Sequence, residues 1–198
     1  SIRASIASAR ENARVTRDLI PKDAWIALNE LHGLIERQSF AGFDRSSRIR
    51  LLKQVISSCR LWHGCLVASQ ARDLSWLFLR LGDRLEHADM VSRLVDPRVT
   101  QMVPGASTRW SSYEAIGWQN LLTALGGVEL YRHSARNQMH GSDVLDFVLR
   151  DTNFPQSMAA ALHSVRRYLN KLPHQRVSTD LLDGTIDGLT KLDLERLT

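Results

Sequence analysis

Trp76-Leu77-Phe78-Leu79-Arg80-Leu81-Gly82-Asp83-Arg84-Leu85-Glu86-His87-Ala88-Asp89-Met90-Val91-Ser92-Arg93-Leu94-Val95-Asp96 is the stretch on which the fold turns. With Leu74 just ahead, its apolar residues fall at Leu74, Leu77, Phe78, Leu81, Leu85, Ala88, Val91 and Leu94/Val95. That i, i+3, i+4, i+7 spacing predicts an amphipathic helix with this stripe against a core. Asp73 is placed to accept from the first free backbone N–H groups, and Asp96-Pro97 should end the helix, because a proline ring disfavours helix in the residue before it. The polar side interleaves opposite charges: Arg80, Asp83, Arg84, Glu86, His87, Asp89 and Arg93. These are too mixed to serve solubility alone, so that side is expected partly inside the bundle, paired with arginines of the first helix.

Outward from this helix, every segment repeats the same period. Residues 2–20 lack Gly and Pro and carry Arg3, Arg10, Arg14 and Arg17 on one side, with Glu11 and Asp18 close by. Pro21 fits the first turn of a helix to about Gln38, with Trp25, Leu28, Leu31 and Leu34/Ile35 facing inward. Asp44 offers an N-cap for a helix from Arg45 to about Ala71, through Ile49, Leu52, Val55/Ile56, Cys59, Trp62/His63 and Leu66. Residues 97–112 read as a loop. Helices are then expected from Tyr113 to about His133, from Ser142 or Asp143 to Arg150, from Pro155 to about Lys171, and after Thr179. Gly126-Gly127 falls inside the first of these, tolerable where another element crosses closely. No segment alternates with period two. The chain is therefore expected to be all-α, a single-domain helical bundle of seven or eight helices over residues 1–198. It starts at Ser1, already in helical pattern, and is expected to lack an upstream first helix.

The 198 residues are 43% hydrophobic, enough to bury a full core. No apolar run reaches the roughly 18 residues of a membrane span. Two cysteines, Cys59 and Cys65, share one predicted helix on different sides and form no disulfide framework, so a reducing cytoplasm is the expected setting. The net charge of +5 is uneven: residues 1–72 hold 12 Lys/Arg against 6 Asp/Glu, and the rest of the chain is balanced. This basic third is a docking face for an acidic partner or simply a solvated surface.

The common catalytic signatures are missing: there is no Cys-x-x-Cys, His-Glu-x-x-His, glycine-rich phosphate loop or nucleophile elbow. Asp83, Glu86, His87 and Met90 share a helix face, yet the Glu-x-x-His pairs of di-metal bundles do not occur, so no metal or cofactor is expected. The tryptophans are spread as core anchors and form no base-stacking platform, which puts nucleic-acid binding last.

Leu79 to Asp96 resembles the signature helix of the bacterial Alpha-E domain family, whose pattern is Leu-Gly-Arg-x-x-Glu-Arg-Ala-Asp-x-x-x-Arg-x-Leu-Asp. Ala9-Arg10-Glu11-Asn12-Ala13-Arg14 followed by Trp25-x-x-Leu28-Asn29 resembles an earlier block of that family. Trp118 through Tyr131-Arg132, and Phe147-Val148-Leu149 through Asp151-x-Asn153-Phe154-Pro155-Gln156-Ser157, resemble later ones. Here the Glu-Arg pair reads Glu86-His87, and Asp83 stands where the arginine after the glycine is usual. The resemblance implies an all-helical domain. Members are often fused to, or encoded beside, a circularly permuted ATP-grasp protein and stand beside transglutaminase-like proteins, which implies ATP-dependent amide or peptide ligation with the helical domain as a non-catalytic partner. The expected binding face combines Arg10, Glu11 and Arg14 with Arg80, Asp83, Arg84, Glu86, His87, Asp89 and Arg93. The alternative is an enzyme, or half of one, built on Arg80, Asp83 and Glu86 and completed by Arg10, Glu11 and Arg14.

Overall fold

A computed structural model of the chain describes residues 1–38, 42–100, 111–134, 139–173 and 176–197. Among these the chain is all-α: nine α-helices, two short 3-10 turns and no strand. The helices are α1 (Ile2–Val15), α2 (Lys22–Glu36), α3 (Arg45–Ser69), α4 (Leu74–Thr100), α5 (Ser111–Leu125), α6 (Val128–His133), α7 (Gly141–Arg150), α8 (Met158–Leu169) and α9 (Arg176–Lys191). Among the described residues, no helix is long and apolar enough to cross a membrane. The chain divides into two compact units, Ser1–Trp76 and Leu77–Thr198.

Side chains start the helices where expected. Asp44 accepts from the Ser47 amide at 2.9 Å and Asp73 from the Trp76 amide at 3.0 Å, each satisfying one of the free donors of a first turn. The end of α4 differs from expectation. Helix continues through Pro97 to Thr100, because a proline one turn from a helix end removes only one backbone bond from the ladder. The segment 101–110, including Trp110, lies outside the described residues.

The first unit is a three-helix layer. Ile6 of α1, Leu31 and Ile35 of α2 and Leu51 of α3 form its buried cluster, with Leu34, Phe43 and Val55 packed on it. Arg3 donates to the carbonyls of Ile35 (3.4 Å) and Gln38 (2.9 Å), covering acceptors that the end of α2 leaves unpaired. Gln70, after α3, donates to the Leu19 carbonyl at 2.6 Å. Of the face expected to be buried on α3, Leu66 is buried and Val55 partly so, whereas Ile49, Leu52, Ile56, Cys59 and His63 are exposed.

The second unit centres on α7, whose Val144, Leu145, Phe147 and Val148 are fully buried. Around it are Val91 and Val95 of α4, Trp118, Leu121, Leu122 and Leu125 of α5, and Tyr131 of α6. A second cluster joins Leu81 and Ala88 of α4 to Ala161, Leu162 and Val165 of α8 and Leu182 of α9. The glycine pair does not sit inside one long helix. Gly126, at φ +68, closes α5: its N–H bonds the Thr123 carbonyl, and the Gly127 N–H bonds the Leu122 carbonyl at 2.8 Å. These are the two bonds of a Schellman motif, which needs a left-handed residue. Gly127 then opens α6 against the rings of Phe147 and Phe154; the close crossing expected there is made by side chains of α7 and of the following turn.

Candidate functional site

Part of the charged side of α4, at Arg80, Arg84 and His87, turns inward. Within the second unit Leu77, Leu81, Ala88, Val91 and Val95 are buried, and so is His87; Arg80 and Arg84 have only 15% of their side chains exposed. By contrast Leu74, Phe78 and Leu85, expected in the core, are 59, 62 and 52% exposed. Burial is thus rotated around the helix from the apolar stripe towards Arg80, Arg84 and His87. Such burial requires that the charges be answered. Asp83 does so: its Oδ2 takes Arg80 at 2.8 Å and Arg84 at 2.9 Å, the latter also through Nε at 3.0 Å. One carboxylate therefore bridges two cations separated by four residues.

Arg80 also reaches out of its own helix. Its Nε donates to the Tyr168 hydroxyl of α8 at 3.5 Å, a long contact. Burial pushes the Tyr168 phenol up, but the Arg80 hydrogen bond and charge, with the charge of Arg167, outweigh it and hold the phenol below its ordinary range.

His87, in the place of the family's arginine, binds backbone. Its Nε2 lies 3.0 Å from the Gln156 carbonyl. A carbonyl only accepts, so Nε2 carries the proton and donates. Gln156 belongs to the turn 151–157, which is built from its own chain: Asp151 Oδ1 accepts from the Asn153 amide at 2.8 Å, and the fully buried Ser157 donates its hydroxyl to the Asp151 carbonyl at 2.6 Å. Ser157 Oγ also accepts from Ala160 and so caps α8; Pro155, expected to open that helix, lies within the turn instead. Phe154 of the same turn stacks on Phe147 with centroids 4.6 Å apart. Signature helix, glycine pair and turn, three separated stretches, meet in one place.

The remaining expected residues are more dispersed. Glu86 is exposed and makes no ion pair among the described residues. Asp89 and Arg93 pair on the surface at 2.8 Å. In the first unit, Arg10 donates to Asn29 at 2.7 Å and lies over Trp25. Arg14 grips Glu11, at 2.6 Å at its shortest, which holds the Glu11 carboxyl below and the Arg14 guanidinium above its ordinary range. Arg10, Glu11 and Arg14 are engaged within the first unit, and Arg80, Asp83, Arg84 and His87 within the second. Among the described residues, no group of three or more His, Cys, Asp or Glu gathers in a way that could hold a metal ion.

Tyr168 and Gln156 are absent from the binding face expected from sequence. Gln156 acts through its carbonyl, which leaves no side-chain signal. Tyr168 follows Arg166-Arg167 near the end of α8, a run that carries no recognisable motif.

The family model that matches the chain describes a predicted alpha-helical domain with a conserved ER motif, and it matches residues 1–197. No curated protein and no solved structure matches.

Proposed function

The chain belongs to the Alpha-E family, and from that premise we propose that it is a helical partner of an ATP-grasp-type amide or peptide ligase, non-catalytic by itself, that binds a protein or peptide. Support for the partnership is the company that the resemblance implies, circularly permuted ATP-grasp proteins and, beside them, transglutaminase-like proteins. The observation that carries the non-catalytic part is Asp83. A carboxylate bridging Arg80 and Arg84, beside a His87 tied to the Gln156 carbonyl, is committed to holding α4 in place. This engagement of Asp83 Oδ2 and His87 Nε2 supports a role in fixing α4 over one in turnover. The enzyme alternative draws less support, since Arg10 is held by Asn29 and Arg14 by Glu11. The candidate binding residues left available are Glu86, with Asp89 and Arg93 as a loosely paired rim. A cytoplasmic setting, consistent with the free thiols of Cys59 and Cys65, belongs to the same proposal.

The test is co-expression with a circularly permuted ATP-grasp protein from the same genome, followed by size-exclusion chromatography of the purified chain with that protein. Co-elution as a stoichiometric complex, with no ATP turnover by the helical chain alone, is the expected result. Separate elution at micromolar concentrations sinks the partnership. ATP-dependent amide formation by the isolated chain, abolished by Glu86→Gln without loss of thermal stability, sinks the non-catalytic part and installs the enzyme reading.

A further inference from the structure

α3 carries a second apolar stripe whose regularity exceeds that of α4. Ile49, Leu52, Ile56, Cys59 and His63 follow at spacings of three, four, three and four, the a/d repeat of a helix seam, and Val67 extends the same side one turn further on. A stripe of this kind faces another helix when it can. Here Ile49, Leu52, Ile56 and Val67 are 43, 44, 49 and 39% exposed, and Cys59 and His63 are exposed with them. The side of α3 that meets α2 is a different one, carrying Leu51 and Val55. Midway along the stripe Ile56, Cys59, Arg60, His63 and Gly64, with the half-buried Val55 at the edge towards α2, line an open depression, where Gly64 has no neighbour within 4 Å of an added Cβ.

Charge decides what fits there. Arg45, Arg48, Arg50, Lys53 and Arg60 are all exposed on α3, and the helix contains no acidic residue. At about 3.6 residues per turn, Arg48 borders the stripe on one side and Lys53 and Arg60 on the other. A second copy of the chain laid on this face would bring the same cations together across a drying seam, which is unfavourable. A helix with Asp or Glu beside its apolar residues meets them with opposite charge. We propose that this face of α3 docks an acidic amphipathic helix of a partner protein. From Ile49 to Val67 the stripe spans about 27 Å at 1.5 Å per residue, enough for a partner helix of about five turns. This surface is independent of the ATP-grasp reading and of the charged side of α4: it takes a helix of this chemistry whichever protein carries it.

The probe is a fluorescein-labelled synthetic helix with Leu at a and d and Glu at the flanking e and g positions, of about three heptads. Its two controls are a scrambled peptide of the same composition and the same helix with Lys in place of the flanking Glu. Binding to the full chain is read by fluorescence anisotropy. The Glu-flanked helix should bind at least about tenfold more tightly than either control, and Ile56→Asp should weaken it by a similar factor, about 1.4 kcal/mol, with the far-UV circular dichroism unchanged. Lys53→Glu with Arg60→Glu should turn the preference towards the Lys-flanked helix, and this variant decides the matter should Ile56→Asp lose helicity. Equal binding of the scrambled peptide would show charge attraction without a seam and overturns the proposal, as does no binding of the Glu-flanked helix. A dimer of the chain in analytical ultracentrifugation that Ile56→Asp dissolves would give the face to a second copy and overturn it too.

Discussion

Gly127→Ala isolates the packing at the junction of α5, α6 and the 151–157 turn. A Cβ at residue 127 would lie 2.7 Å from Phe154 Cζ and 3.2 Å from Phe147 Cε1, where carbon atoms in contact prefer about 3.5–4.0 Å. The Phe154 ring would have to withdraw by roughly 1 Å, the difference between those distances. It has nowhere to go: it stacks on Phe147, which meets Tyr131 edge-on at 5.3 Å, and all three are buried. Overpacking of this kind costs about 1–3 kcal/mol. Backbone conformation does not add to it, since φ −97, ψ −1 is open to alanine, and the smaller conformational freedom of unfolded alanine returns roughly 0.4–1 kcal/mol. The net expectation is a loss of about 1–2 kcal/mol, read as a lower urea midpoint by far-UV circular dichroism with unchanged denaturant slope. Gly126→Ala is the contrast. Nothing crowds it, and its cost comes from the left-handed backbone at φ +68, so Gly126→Asn should recover most of the loss, whereas Gly127→Asn should be worse than Gly127→Ala. In a Phe154→Leu background Gly127→Ala should become close to neutral. An unchanged midpoint for Gly127→Ala, or equal losses with and without Phe154→Leu, would refute the steric account.

Asp83→Asn keeps the shape of the bridge and removes its charge, leaving Arg80 and Arg84 without the carboxylate they share; about 1–2 kcal/mol should be lost, a figure reduced because Asp83 is 35% exposed, and an unchanged urea midpoint counts against a structural role for the bridge. His87→Ala strips the Gln156 carbonyl of its donor at a cost of about 1–3 kcal/mol; hydrogen exchange should quicken in 151–157 first, and uniform quickening across the second unit would contradict the local bond. One phenol should ionise below about 10 in a spectrophotometric titration of the folded protein, and Tyr168→Phe should remove it. Because the folded value is the lower one, the phenolate favours the folded state: that stabilisation grows as pH rises through the folded value towards 10, is full above it, and is lost as pH falls back through the folded value. An alkaline titration that Tyr168→Phe leaves unchanged below about pH 10 would exclude the Arg80 contact.

Much of the fold is visible in the residues because helix period and punctuation are local properties. Pro21, Gly42 and Asp44 separate α1, α2 and α3 by their own chemistry, and Leu28, Leu31 and Ile35 lie buried on the expected face of α2. What periodicity cannot supply is the partner. It puts Phe78 and Leu85 in the core, whereas Asp83 and Tyr168 make a home for Arg80 and Arg84 and turn α4 the other way. Asp83 is visible as one charge among seven, and its i,i+3 pairing with Arg80 follows from spacing; that Arg80 and Arg84 lie on the half-buried side depends on a rotation that no spacing encodes. The carbonyl of Gln156 is the limiting case, since any residue there would offer the same acceptor. Gly126 and Gly127 look alike in sequence and act differently, one through φ and the other through the rings that crowd it.

The 151–157 turn has a kinetic consequence. Its own bonds close over two, three and six residues, from Asp151 to Asn153, Ser157 to Ala160 and Ser157 to Asp151, whereas His87 reaches it across 69. Short closures come at small entropic cost and long ones do not. The turn is therefore expected to be in place in the folding transition state, with α4 arriving afterwards. In stopped-flow experiments Ser157→Ala should slow refolding, while His87→Ala should leave refolding alone and hasten unfolding.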